Sequence, residues 1–187
     1  MKDWLNKLFT GADKLPDMGV LMLAGLFGLM VGLIVAYVIA THFGVPFKDV
    51  MDEVREGGEY WRRHEALLAR ASAGYGVPEE IIVATIGIET SFGRALGRGR
   101  VFDALTTLAF AYPPRAALFR NELVELLLLS REMRADPLSY RGSFAGALGV
   151  PQFLPSSYRR HAVDFDGNGR RDLWTHADAI GSIANYY

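Results

Sequence analysis

The sequence predicts an all-α protein, a helical domain preceded by a single membrane-crossing helix, and three observations carry that prediction. From Met18 to Phe47 there is no Asp, Glu, Lys or Arg, and Gly19 to Phe43 is almost wholly apolar. Beyond Tyr60 the apolar residues recur at helical spacing, and the period-two alternation of strands is nearly absent. Half of the 187 residues are hydrophobic, which is high for a soluble domain and agrees with a membrane segment.

The remaining composition mostly excludes. The length allows one ordinary domain plus an appendage. A formal net charge of -1 gives no reason to expect nucleic acid as a partner. With no cysteine, disulfides, thiolate metal sites, cysteine nucleophiles and a lipidated N-terminal Cys are ruled out.

The first segment, 1–17, sets Lys2, Lys7 and Lys14 against Asp3, Asp13 and Asp17. Trp4, Leu5, Leu8 and Phe9 fall at helical spacing, so it either lies on a membrane surface or forms an unstructured lead. Residues 18–43 exceed the roughly 20 that cross a hydrocarbon core at about 1.5 Å each. A cleaved signal peptide has an apolar region of about 7 to 15 residues and a small-x-small site, and Ile39-Ala40-Thr41 is a poor one. An uncleaved anchor is therefore expected. Ala24, Gly28, Gly32, Ala36 and Ala40 recur every four residues within it, a stripe that lets a second helix approach closely. The general abundance of Gly and Ala in membrane helices explains the stripe equally well. Gly44-Val45-Pro46 stops the helix, and 44–59, with Gly57-Gly58, is expected to link anchor and domain.

The domain is expected over 60–187. Trp61, Leu67, Leu68, Ala71 and Tyr75 mark a helix closed by Gly76. Pro78 at a favoured first helical position, with Glu79 and Glu80 behind it, starts the next, IIVATIGIETSFGR, which ends near Gly93. Its run of Ile81, Ile82, Val83, Ala84, Ile86 and Ile88 leaves little polar face and predicts burial, of the helix and of Glu89 with it. Burial and the negative end of the helix dipole both favour a protonated carboxyl, the state a general acid needs. An ion pair with Arg94, Arg98 or Arg100 is the other reading of Glu89.

Phe102 to Ala111 and Ala116 to Ser130 read as two helices joined by Tyr112-Pro113-Pro114-Arg115, and Leu126 to Leu129 is too short for a second span. GSFAGALGVPQ, 142–152, is glycine-rich enough to admit another backbone, a ligand or a tight helix crossing. DFDGNGRRDLWT, 164–175, opens like a calcium loop, with an acid first, oxygen donors third and fifth, and Gly sixth. The twelfth position, normally Glu, is Thr175, so Asp172 or Asp178 must close the shell if the loop holds metal. An Asx-rich turn held by its own hydrogen bonds is the alternative.

YGVPEEIIVATIGIETSFGR, DALTTLAFAYPPRAALF, DPLSYRGSFAGALGVPQFLPSSYRRHAVDFDGNGRRDLW and ADAIGSIANYY, in that order, resemble the membrane-bound lytic transglycosylase B family of lysozyme-like peptidoglycan enzymes. The resemblance implies an all-α, lysozyme-like fold with an EF-hand-like loop, and it assigns roles. Glu89 matches the catalytic acid/base, and Ser143 the serine hydrogen-bonded to it. Gln152 and Tyr186 match residues lining the saccharide cleft, Phe153 belongs to the same motif, and Arg115 matches a cleft arginine near the stem peptide. Asp164, Asp166, Asn168, the Arg170 carbonyl and Asp178 match a structural calcium loop.

The reaction implied cleaves the bond from N-acetylmuramic acid to N-acetylglucosamine without water and leaves a 1,6-anhydromuramoyl end. One carboxyl suffices, protonating the leaving oxygen and then taking the proton of the sugar's own O6, with the 2-acetamido group as internal nucleophile. Two-carboxylate hydrolysis needs a partner acid about 5 to 10 Å away, and Asp103 is the one other acid weighed for that role. A peptidoglycan substrate places the domain outside the cytoplasmic membrane and 1–17 inside. Family domains continue past the ANYY-like motif, so a cleft open on one side is expected. Two alternatives stand beside this enzyme: a non-catalytic membrane subunit that holds peptidoglycan in a degenerate cleft, and a lysozyme-type hydrolase.

Overall fold

The structure, a computed structural model, describes Leu33, Ile34, Tyr37, Val38, Thr41, His42 and residues 44–187. The N-terminal segment, most of the expected anchor and its whole small-residue stripe lie outside the described residues. Among the described residues, no helix is long and apolar enough to cross a membrane. The chain divides into two compact units, 1–52 and 53–187. In the first, the rings of Tyr37 and Phe47 meet edge to face at 6.4 Å.

Helix α1, Phe47–Tyr75, bends at His64, which leaves helical geometry (φ -117, ψ 18). Residues 47–59, read as a linker, are thus helical. Glycine costs a helix about 1 kcal/mol, yet α1 runs through Gly57 and Gly58; a Cβ on Gly57 would meet Phe92 Cζ at an ordinary contact distance of 3.4 Å.

Helix α2, Glu79–Thr90, begins at Pro78 as expected. Its burial is not as expected. Ile82, Val83, Ile86, Gly87 and Thr90 are buried, yet Ile81 is 42% and Ile88 84% exposed. The apolar run wraps the whole helix, but only one face meets the core.

Helices α3 (Val101–Ala111) and α4 (Ala116–Met133) are joined by a 3₁₀ turn, Pro113–Arg115. A short ribbon, absent from the sequence reading, pairs β1 (Gly99–Arg100) antiparallel with β2 (Arg141–Gly142). Gly97 permits it: at φ +79, a Cβ would sit 2.1 Å from the Gly142 carbonyl oxygen. The glycine-rich segment therefore serves close backbone approach, with bridges Gly142↔Leu148 and Leu148↔Phe153. Helices α5 (Pro155–His161) and α6 (His176–Tyr186) complete the unit.

Two core clusters form. One joins Tyr60, Leu68 and Ala71 of α1, Ile82 and Ile86 of α2, and Ile180 and Ile183 of α6. The other joins Leu105 and Ala109 of α3, Leu126 and Leu129 of α4, and Tyr158 of α5. The segment 148–153 runs between them, giving Val150 to the first and Leu148 and Phe153 to the second.

Candidate active site

At that seam lies a hollow of about 320 Å³, bordered by Thr85 and Glu89 of α2, Gln152 and Phe153 of the crossing segment, Ser157 of α5, and Ile183, Tyr186 and Tyr187 at the end of the chain. Thr85 and Glu89 share a wall because four residues make about one helical turn. Their side chains leave α2 at the edge of its packed face, Thr85 half-buried and Glu89 exposed.

Glu89 is exposed, so the expectation that folding alone buries it is wrong, for the same reason that Ile88 is bare: α2 packs on one face. No ion pair links Glu89 to Arg94, Arg98 or Arg100 among the described residues. Arg94 pairs instead with Glu56, whose carboxyl it holds below the usual range, and Arg100 lies 3.4 Å from Asp103. Asp103 is not among the residues bordering the hollow.

Gln152 is held in the left-handed region (φ 50), a conformation that side chains other than glycine adopt at a cost. Its Nε2 donates to the Gly149 carbonyl at 2.8 Å and to that of Leu96 at 3.4 Å, which fixes the amide in the wall. Phe153 is buried and its ring meets that of Tyr186 at 5.4 Å. Tyr186 also meets the His161 ring edge to face at 5.1 Å. Thr85 Oγ1 and the Tyr187 hydroxyl are 3.2 Å apart across the opening. Glu89, Gln152, Phe153 and Tyr186 thus converge as the resemblance implies.

Ser143 and Arg115 do not border this hollow. The Ser143 hydroxyl accepts the N–H groups of Ala145 (3.3 Å) and Ala147 (3.1 Å), and no hydrogen bond joins it to Glu89. A tight ring orients the segment, with Ser143 N–H donating to the Ala147 carbonyl and Gly146 N–H to that of Ser143, both at 3.0 Å, and the hydroxyl keeps its own O–H to donate. Arg115 is exposed beside Phe119. Sequence reading missed Thr85 and Ser157, although Thr85 stands at helical spacing from Glu89.

Two buried polar groups hold the frame. Thr90 Oγ1 reaches the Val150 carbonyl at 3.1 Å and accepts Gly93 N–H at 3.1 Å, tying the end of α2 to the segment that carries Gln152. Glu122 of α4, 3% exposed, accepts the N–H of Ser156 at 2.9 Å and its hydroxyl at 2.6 Å, capping α5 from outside.

Between α5 and α6, Asp164, Asp166 and Asp178 bring one carboxylate oxygen each within 4.8 Å of one another. Asp164 accepts N–H groups of Gly167, Asn168 and Gly169, and the Asn168 side-chain oxygen accepts that of Arg170. Thr175 caps α6, accepting Asp178 N–H and donating to the Asp172 carbonyl, so it is occupied. Asp178, fully buried, turns its carboxylate into the loop and accepts N–H groups of Phe165, Asp166 and Asp172. Three convergent carboxylates of hard oxygen suit Ca²⁺.

The family described as "Transglycosylase SLT domain" matches residues 48–187. The chain is 53% identical over 136 residues to Membrane-bound lytic murein transglycosylase B of Escherichia coli, covering 73% of this chain and 38% of that protein. Among solved structures, E. coli Slt35 in complex with calcium is 53% identical with a TM-score of 0.69, over 72% of this chain and 43% of that one. Pseudomonas aeruginosa SltB3 in complex with NAG-NAM-pentapeptide is 35% identical with a TM-score of 0.67, over 72% and 36%. The chain therefore spans well under half the length of these relatives. On the match over 48–187 and the identity of more than half, this chain belongs to the transglycosylase SLT domain family.

Proposed function

We propose that this chain is the catalytic part of a membrane-anchored lytic transglycosylase that cleaves peptidoglycan between N-acetylmuramic acid and N-acetylglucosamine. The observation that carries the reading is the single carboxyl, Glu89, set in one hollow with Gln152, Phe153 and Tyr186. Glu89 donates its proton to the leaving oxygen as the C1–O bond breaks. The 2-acetamido oxygen closes on C1, O6 then displaces it, and the Glu89 carboxylate takes the O6 proton. No water enters, and the carboxyl ends protonated as it began. The Gln152 amide and the Tyr186 ring orient the sugar, amide by hydrogen bond and ring by stacking. Since Glu89 is exposed before substrate arrives, the bound glycan itself must exclude water from it.

The Asp164, Asp166 and Asp178 cluster supports a structural Ca²⁺, with Asn168 and the Arg170 carbonyl as further ligands in an EF-hand-like loop; a relative has been solved with calcium. Such an ion would tie α5 to α6. The charge-free run from Met18 to Phe47 supports an anchor in the inner membrane, with the domain on the wall side.

The exposure of Glu89 favours one second reading, a glycan-holding membrane subunit that does not cut. Mass spectrometry of digested cell wall decides: anhydro ends carry the proposal, reducing ends make the protein a hydrolase, and no products leave the holding module. Glu89→Gln is expected to fold as the parent and release nothing; anhydro products from that variant would refute the assignment.

A further inference from the structure

A second hollow, of about 770 Å³, lies apart from the Glu89 groove and shares no bordering residue with it. Helix α5 gives Ser157 to the groove and Tyr158 to the larger hollow. Its size is that of ordinary ligand sites. Its floor is aromatic: the Trp174 ring lies 6.3 Å from Tyr140 and 6.4 Å from Tyr158. Beyond Tyr140 and Trp174 a smaller recess of about 290 Å³ continues it and adds Arg141.

Guanidinium groups surround that floor. Arg134 and Arg170 border the hollow and Arg141 the recess, and none of the three has an ion pair among the described residues. Arg171 is engaged, with the Arg159 carbonyl at 3.4 Å and Glu132 at 3.7 Å. Arg134 breaks a local rule as well. It ends α4 in the left-handed region (φ 52, ψ 41), where glycine is the usual residue, and among the described residues its guanidinium has no hydrogen bond or ion pair. Positions that keep an unfavourable residue without structural return are where function is expected.

The acids in the wall narrow the occupant. Glu132 is held by Arg159, while Asp172 accepts only the Trp174 N–H and has no cationic partner. A wall of guanidinium groups without ion pairs attracts carboxylates, and the one carboxylate without a cation beside it offers an ammonium group a partner, so a ligand bearing both charges fits better than a pure anion. We propose that this hollow is a second, non-catalytic site for the peptide stem of peptidoglycan, a short chain bearing several carboxylates and one amine. Arg134, Arg141 and Arg170 take the carboxylates, Asp172 the amine, and Trp174 lies under the peptide. The identity of the ligand rests on the transglycosylase reading; the chemistry of the site does not. On that reading the protein holds a stem in one hollow while it cuts glycan in the other.

Calorimetric titration of the full chain with sugar-free stem pentapeptide, as the free acid and with its carboxylates amidated, tests this. Free acid is expected to bind at least tenfold more tightly than the amidated form. Arg134→Gly, which suits the left-handed backbone and so keeps the fold, is expected to lose tenfold in affinity with its melting temperature unchanged or raised. The same variant should cut peptide-free glycan at the parent rate and peptide-bearing strands more slowly. Absence of binding, equal binding of both peptides, or full binding by folded Arg134→Gly overturns the proposal. Glu89→Gln separates the two readings: it should bind peptide as the parent does while cutting nothing. Peptide binding by a parent protein that cuts no glycan would sink the enzyme and leave the site, and cutting without peptide binding would do the reverse.

Discussion

Replacing Thr90 by Val tests how the carboxyl helix is fixed to the segment carrying Gln152. The side chain is fully buried and the two residues have nearly the same shape, so no cavity opens. The hydroxyl reaches the Val150 carbonyl and accepts Gly93 N–H, both at 3.1 Å. Valine leaves the first without a donor and the second without an acceptor. At about 1 to 3 kcal/mol for each stranded group, the loss should be about 2 to 6 kcal/mol. In a domain of this size about 3 °C of melting temperature goes with each kcal/mol, giving a drop of about 6 to 18 °C by scanning calorimetry. Thr90→Ser keeps both bonds and gives up one methyl, at about 1 kcal/mol. The valine variant should therefore melt below the serine variant, and its glycan cleavage should fall as Glu89 loses register with Gln152. A valine variant that melts within about 2 °C of the parent, or above the serine one, refutes the reasoning.

Removing the buried cap with Glu122→Ala should cost about 3 kcal/mol, read from urea midpoints, since it strands both Ser156 donors at the start of α5. For pH, burial chiefly, with His176 and Arg63 adding, holds His64 below its ordinary pKa, and its Nε2 is buried without a partner. The folded state then binds fewer protons than the unfolded one, so His64's contribution is full above about pH 6.5 and is lost as pH falls through the unfolded value. Urea midpoints between pH 5 and 8 should show that slope, and His64→Phe should shallow it. Saturating Ca²⁺ at about a hundredfold over its dissociation constant should stabilise by about 2.7 kcal/mol, and Asp164→Ala should abolish the rise in melting temperature.

Much of the helical frame was legible because caps and spacing are local. Pro78 starts α2, Pro113-Pro114 separates α3 from α4, and these boundaries fell where the residues put them. The errors share another origin. Gly57-Gly58 reads as a juncture between anchor and domain, and the helix that runs through it is not visible in local propensity. Burial of Glu89 was inferred from composition around a helix, whereas exposure depends on how many faces find a partner, and α2 finds one. The ribbon pairs residues more than forty positions apart over two residues per strand, too short for any periodicity to register. Of the site, the motif residues Glu89, Gln152, Phe153 and Tyr186 were legible and do meet. Ser143 stands outside the hollow, its hydroxyl accepting two backbone N–H groups once Ala147 folds back and keeping its O–H to donate.

Residues at positive φ border both hollows. Among the described residues the non-glycine residues at positive φ are Ser91, Phe92, Arg134 and Gln152. Such conformations persist where the surroundings over-determine them, and each of these four has a visible consequence. Ser91 and Phe92 end α2 two residues past Glu89 and fold the Phe92 ring onto Gly87, where a Cβ would lie 3.0 Å from Cζ. That reversal sets the angle at which Glu89 leaves the core. Gln152 spends its strain on an amide fixed in the groove wall. In these three cases packing or hydrogen bonding inside the fold accounts for the conformation. At Arg134 the helix end does the same, its N–H donating to the Arg131 carbonyl at 3.3 Å and that of Ala135 to the Ser130 carbonyl at 2.9 Å, so only its guanidinium is left without a hydrogen bond or ion pair among the described residues. The glycine that would serve there better is absent, and the guanidinium in its place faces an aromatic floor with two more unpaired like it. The backbone at Arg134 follows from how α4 ends, so it is the unpartnered side chain, and not strain, that points to an occupant.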